Sequence, residues 1–426
     1  MNKELISSER TGECCIHVKH KSGLDIYICE MNGFSSVEAL FGTKYGSVNN
    51  LFRTAGDSEF TSVPEGIAHF LEHKLFENED CQVFDLYAKT GASGNAFTSF
   101  DKTCYIFSSS GNYQENLRIL LDFVQKPYFT QESVEKEVGI IGQEIQMTND
   151  NPEWRVFFNM LKCMYHSHPV KTDIAGTLES IEKISAELLY KCYDTFYNLN
   201  NMVLSIAGNI KADEVLAICD EMLRPCEDKG LECVFPDEPL SIVSPEFREI
   251  QNIGASIFSL GYKCTPCSGN DKTRRTTAAA IAGELLTDPS SEMYVRLMND
   301  GIINSTFGYE VFCGDGYFTV IFSGESESPD IVKENIVKEA ERMLRDGIPE
   351  KDFRRFKKTL YASLVRELNN VEVVANVMLN AHMDGIRRFD SIDVLSELTS
   401  SDVLDFIRSE LNSDRLVLSV VERKVD

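Results

Sequence analysis

The sequence predicts an α+β fold built from two similar halves, and two observations carry that prediction. Asn201-Met202-Val203-Leu204-Ser205-Ile206 recurs in outline as Arg415-Leu416-Val417-Leu418-Ser419-Val420, about half the chain later. Each half closes with a helix-like stretch, residues 184–197 and 401–411, that leads into this alternating strand. At 426 residues, with 43% hydrophobic and 26% charged residues, the chain is long enough for two or more domains, each with its own core. The breaker-rich, charged segment Arg224-Pro225-Cys226-Glu227-Asp228-Lys229-Gly230 and then Phe235-Pro236-Asp237-Glu238-Pro239 reads as the linker. The expected division is 1–222, a linker at 223–243, and 244–426.

Taken in order, the elements begin with a polar amino-terminal segment, Met1 to Arg10, that has no apolar run of signal-peptide type. Nothing later approaches a membrane span, so a cytoplasmic location is the default expectation. His17 and His20 fall in a predicted early strand. Ser62-Val63-Pro64-Glu65 has the form of a capping box with Pro in the first turn, which predicts a helix starting there.

That helix carries the most informative stretch of the chain, Gly66-Ile67-Ala68-His69-Phe70-Leu71-Glu72-His73. Residues i, i+3 and i+4 share a helical face, so His69 and His73 can aim at one metal with Glu72 beside them. The order is H-x-x-E-H, the reverse of the commoner H-E-x-x-H. An isolated His pair at this spacing is more often a surface or core feature than a ligand pair, so the context matters. A zinc hydrolase site also needs a third protein ligand and an open position for water. Glu137 and Glu144 lie seven residues, two helical turns, apart in Glu137-Val138-Gly139-Ile140-Ile141-Gly142-Gln143-Glu144, with Val138, Ile141 and Ile145 free to face a core. One of the two can bind zinc and the other support it.

These residues together resemble the pitrilysin or insulinase (M16) family of zinc peptidases, the inverzincins, in its bacterial two-domain subunit form. The resemblance extends over nearly the whole chain. It includes Gly94-Asn95-Ala96-Phe97-Thr98-Ser99, Thr103-Cys104-Tyr105, His168-Pro169, Gly176-Thr177-Leu178-Glu179, Tyr197, Asn201 to Leu204 and Gly208-Asn209. It implies two homologous α/β-sandwich-type domains, mostly antiparallel sheet with helices packed on it, forming half of a clam-shell. It also implies that His69, His73 and Glu144 are ligands of one Zn2+ per chain, that Glu72 is the general base, and that Glu137 is a supporting carboxylate. The alternating segment Asn95 to Tyr105 resembles the family's substrate strand, so Asn95, Ala96, Phe97 and Thr98 are expected to bind an extended peptide by strand addition.

Two departures from the family stand out. Leu199 takes the place of a usual Pro. In the second half, Met298 and Asn304 stand where catalytic members carry an Arg and a Tyr that contact the substrate carbonyl. Arg296 and Tyr309 are close in sequence and could replace them only if the alignment slips. The expectation is therefore a peptidase that pairs with a homologous subunit, as a homodimer or a heterodimer, and receives the Arg and Tyr from it. The alternative is a non-proteolytic or partner-dependent subunit of a peptide-processing complex, such as one maturing a precursor peptide.

When the repeat offset is applied to the metal motif, its positions fall on Gly283, Leu286 and Thr287, so only the first half is expected to hold zinc. The formal charge of −25 excludes nucleic acid as a natural partner. Thirteen cysteines, an odd number scattered along the chain, predict reduced thiols; Cys264-Thr265-Pro266-Cys267 lacks the second pair of a zinc ribbon. His166, His168 and His382 are expected to be structural or surface residues.

Overall fold

The computed structural model describes residues 3–79, 82–386 and 389–424. The chain divides into two compact units that interleave along the sequence. One comprises Met1–Ile145, Asp173–Phe235 and Leu364–Phe389, and the other Gln146–Thr172, Pro236–Ser363 and Asp390–Asp426. The central passage from first to second unit, between Phe235 and Pro236, falls within 223–243.

The strands, in chain order, are β1 (Lys3–Ser7), β2 (Cys14–Lys19), β3 (Asp25–Glu30), β4 (Val37–Thr43), β5 (Leu51–Arg53), β6 (Thr61–Ser62), β7 (Ser93–Thr98), β8 (Thr103–Ser109), β9 (Met202–Gly208), β10 (Glu232–Cys233), β11 (Glu246–Gln251), β12 (Ile257–Lys263), β13 (Gly308–Gly314), β14 (Tyr317–Glu325) and β15 (Leu416–Arg423). The first unit holds a seven-stranded sheet in the order β1-β2-β3-β9-β4-β8-β7 and a small sheet β10-β5-β6; the second holds β11-β15-β12-β14-β13. Both large sheets are antiparallel except for one parallel pair each, β3 with β9 and β11 with β15. The order β3-β9-β4-β8-β7 therefore matches β11-β15-β12-β14-β13 strand for strand. The two repeated segments become β9 and β15, at equivalent places, as the repeat predicts.

Each sheet also carries a helix from the opposite half of the sequence. Val371–Met383 packs on β4 and β9, where Val374, Ala375, Met378 and Leu379 bury against Cys29, Leu40, Cys104 and Val203. The other face of that sheet is covered by the larger core containing Ile26, Ile28, Phe41, Phe107, Leu117 and Val215. Covered on both sides, β4 and β9 are buried at every residue, so the alternation expected of the β9 segment does not appear in its burial. In the second unit, Pro152–Met164 packs on β12 and β15. Beneath each helix one strand, β4 or β12, carries a glycine. A Cβ on Gly42 would lie 2.9 Å from Leu379 Cδ1, and one on Gly261 would lie 2.6 Å from Met160 Sδ.

Three local expectations change. Thr61–Ser62 is strand β6, and the motif helix spans Ile67–Leu75 rather than starting at Ser62; its N-cap is Gly66, with no side-chain cap. Asn95 to Tyr105 is not one strand: Ser99 turns the chain, its N–H donating to the Lys102 carbonyl at 2.8 Å, and Thr103–Tyr105 belongs to the interior strand β8. His20 lies just past β2, in a turn where its Nδ1 meets Ser22 Oγ at 2.8 Å. The described cysteines are free thiols, and buried Cys264 donates from Sγ to the Tyr262 carbonyl. No helix among the described residues is long and apolar enough to cross a membrane.

Candidate metal and catalytic site

The motif helix Ile67–Leu75 is held at its first turn by backbone that only glycine can supply. Gly66 has φ 86°, and a Cβ there would lie 2.3 Å from the Ala175 carbonyl oxygen. Gly176, with φ 78°, approaches the Glu65 carbonyl in the same way, and Ser180 Oγ donates to that carbonyl at 2.8 Å. The segment Gly176-Thr177-Leu178-Glu179 thus braces the entry to the motif helix. Sequence reasoning noted these residues only as part of the family pattern; the paired glycines were the available signal.

Glu137 and Glu144 lie on one helix, Gln131–Asp150, with Ile141 and Ile145 buried in the core as their spacing predicts. This helix brings Glu144 to the two histidines. His69 Nε2 is 3.6 Å from Glu144 Oε1, and His73 Nε2 is 3.6 Å from Glu144 Oε2. One donor atom from each residue lies within 4.8 Å of the others, and no other such group of three occurs among the described residues. At 3.6 Å these contacts are too long for hydrogen bonds. Donors on a tetrahedral ion with bonds of about 2.0–2.1 Å sit about 3.3 Å apart, so Glu144 stands close to that separation from each histidine.

The surroundings fit the same ion. His73 turns its other nitrogen, Nδ1, to Glu137 Oε1 at 3.0 Å, and Glu137 is buried; such a carboxylate fixes the ring and tautomer of a ligating histidine. His69 is buried, and desolvation reinforced by the nearby His73 pushes its pKa down to about 3, which keeps it in the neutral form that binds metals. Burial opposes charge on His73, but the hydrogen bond it donates to Glu137 and the charges of Glu72, Glu137 and Glu144 outweigh it and raise its pKa. A cluster of carboxylates around two imidazoles favours a bound cation.

Glu72, also buried, stands on the same helix and accepts a hydrogen bond from Thr98 Oγ1 at 2.8 Å. Its burial raises its pKa, against the opposing pull of Thr98 and His73. Thr98 closes β7, which ends the seven-stranded sheet and has a strand on one side only among the described residues. Asn95, Ala96, Phe97 and Thr98 are thus on an edge strand that packs against the motif helix. All nine predicted site residues belong to the first unit.

Among the described residues, the remaining candidates have other partners. Tyr309 lies over Gly283, and its hydroxyl donates to Glu284 at 3.3 Å; Arg296 is hydrogen-bonded to Asn335. His168 is buried, with Nε2 on the Asp315 carbonyl at 3.0 Å, and His382 Nδ1 meets the Tyr27 hydroxyl at 3.2 Å.

This chain belongs to the M16 family of metallopeptidases. Residues 54–178, which contain the whole cluster, match the family described as Insulinase (Peptidase family M16), and residues 183–360 match the Peptidase M16 inactive domain. The chain is 38% identical to the uncharacterized zinc protease YmfH of Bacillus subtilis over 98% of this chain and 99% of that one. It is 26% identical to a Schizosaccharomyces pombe protein named "Probable mitochondrial-processing peptidase subunit beta" over 59% of this chain and 52% of that one. A solved structure described as an M16-like peptidase from Alicyclobacillus acidocaldarius superposes with a TM-score of 0.93 at 32% identity, covering 100% and 99% of the two chains.

Proposed function

We propose that this chain is a zinc-dependent endopeptidase acting on peptides or small unfolded polypeptides. The observation that carries this reading is the convergence of His69, His73 and Glu144 on one ion-sized gap, with Glu72 on the same helix. A zinc ion held there supplies Lewis acidity and lowers the pKa of water to about 7. Glu72 takes the proton released by the attacking water and delivers it to the departing amine. Its burial favours this double role, because desolvation raises its pKa and so makes the carboxylate a stronger base than an exposed one. Glu137 keeps the His73 ring in place. The substrate backbone pairs with the open edge of β7 along Asn95, Ala96, Phe97 and Thr98, and pairing through backbone atoms gives loose side-chain selectivity.

The second half favours a partner. By the family resemblance, Met298 and Asn304 stand where catalytic members are expected to carry Arg and Tyr. The Asn304 amide is bound to Glu325 at 2.5 Å, and Arg296 and Tyr309 are engaged by Asn335 and Glu284. A homologous subunit, in a homodimer or a heterodimer, supplies the missing pair; the relative named as a subunit of a processing peptidase supports this arrangement. The other reading, a subunit that keeps the fold and metal without cutting, is favoured by those same two positions. Retention of Glu72 weighs against it.

The test measures zinc content and peptide cleavage for the native protein and for Glu72→Gln, alone and with a homologous subunit. We expect one zinc per chain in both, with cleavage reduced on the order of 100- to 10,000-fold in the variant. Cleavage by the variant at the native rate would remove Glu72 from the mechanism. Absence of cleavage in every combination would leave the non-proteolytic reading.

A further inference from the structure

Thr98 is expected from the sequence to contact substrate, but its hydroxyl is already engaged by the base. Its Oγ1 lies 2.8 Å from Glu72 Oε2 and 3.3 Å from Thr103 Oγ1, the residue directly opposite it in the β7–β8 register. Thr103 is fully buried, and its hydroxyl donates to the Tyr45 carbonyl at 2.8 Å.

A hydroxyl has one proton to give. That of Thr103 goes to a carbonyl, which can only accept, so the Thr98 proton goes to Glu72, the shorter of its two contacts. The direction of the whole chain follows: Thr103 to Tyr45, and Thr98 to Glu72. Glu72 Oε2 is therefore an acceptor held by the sheet, and Oε1, without a hydrogen-bond partner among the described residues, is the oxygen left to exchange a proton. The anchor is rigid, because Thr98 and Thr103 are a cross-strand pair where β7 meets the fully buried end of β8.

We propose that Thr98 is a positioning residue for Glu72, which ties the orientation of the general base to the strand on which the peptide is laid. This inference rests on the peptidase reading for its catalytic consequence, but its geometric content does not. A peptide that pairs with β7 is placed in register with a carboxylate fixed by the last residue of that same strand. Docking and proton transfer then share one frame.

The experiment compares the zinc-loaded protein, with its homologous subunit if cleavage requires one, with Thr98→Val, Thr98→Ser and Thr98→Ala. Thr98→Val keeps the shape and removes the hydroxyl; Thr98→Ala repeats the measurement if the Val side chain disturbs folding. We expect kcat to fall on the order of 10- to 100-fold in both, with KM within about 2-fold of native, zinc content unchanged, and most of kcat restored in Thr98→Ser. A rise in KM with kcat preserved would assign Thr98 to substrate binding and overturn the proposal. Crystal structures of the metal-free native and Thr98→Val proteins give a readout independent of turnover. The Glu72 carboxylate is expected to rotate away from its native position, and an unmoved carboxylate overturns the proposal. If the native protein with its subunit cleaves nothing, the peptidase reading fails, while the carboxylate position still decides the role of Thr98.

Discussion

In the proposed zinc site, Glu137 is the side chain outside the three candidate ligands that would govern one of them. It sits buried behind His73 and accepts from Nδ1 at 3.0 Å, so the imidazole presents Nε2 toward Glu144. In Glu137→Gln the shape and one acceptor oxygen survive, but the charge that raises the basicity of the ring is lost. Zinc affinity is expected to fall on the order of 10- to 100-fold, read by competition with a chelator, with the fold intact. At this scale the sequence was highly legible. Two histidines and a glutamate within five residues are local, and helical periodicity alone places them on one face. Thr98 was legible as a position but not as a role, because its partner Glu72 is 26 residues away and no pattern in the sequence encodes that contact.

At the scale of elements, the start of the motif helix separates what local signals can and cannot tell. Ser62 to Glu65 resembles a capping box, yet the helix begins at Ile67, since Gly66 is locked against the Ala175 carbonyl, over a hundred residues downstream. The tertiary contact overrides the local preference. Gly66→Ala would force a side chain into a left-handed φ of 86° and into a carbonyl oxygen 2.3 Å away. The cost is expected to be at least about 2 kcal/mol, because the backbone penalty alone is roughly 1 kcal/mol and the clash adds to it. It should appear as a lower denaturant midpoint, together with weaker zinc binding, because the same turn aims His69 and His73. A variant with native stability and native zinc affinity would show that the loop can retreat without consequence. The hairpin of β7 and β8 was similarly hidden: an alternating run of residues looks alike whether it is one strand or two, and the turn is fixed by Ser99 bonding to Asp101 and Lys102.

For the whole molecule, the internal repeat was readable because β9 and β15 keep both their residue pattern and their place in the two sheets. The exchange of helices Val371–Met383 and Pro152–Met164 was not, because an amphipathic face reports that it packs but not on which sheet. The second unit contains a further long-range feature, the ion pair of Lys263 and Glu238, whose oxygen and nitrogen are 2.6 Å apart and whose side chains are 8% and 2% exposed for Glu238 and Lys263. Lys263 also donates to the carbonyls of Met164, Pro239 and Ser241, and Glu238 accepts from the backbone N–H groups of His166, Ser167 and His168. Burial works to raise the pKa of Glu238, but Lys263 and the three N–H donors outweigh it and hold the carboxyl down at about 2, against an ordinary value of 4.5. A carboxyl depressed by folding stabilises the native state above its unfolded pKa, and that stabilisation is lost as pH falls through the folded pKa. The loss therefore runs from about pH 4.5 down to about pH 2. Glu238→Gln leaves Lys263 buried without its counter-charge and is expected to cost about 3–5 kcal/mol near pH 7. In urea unfolding followed against pH, the gap between native and variant should hold steady down to about pH 5 and narrow below it. A gap independent of pH across that window would mean that the carboxylate charge is not what secures the segment 166–168 to β12.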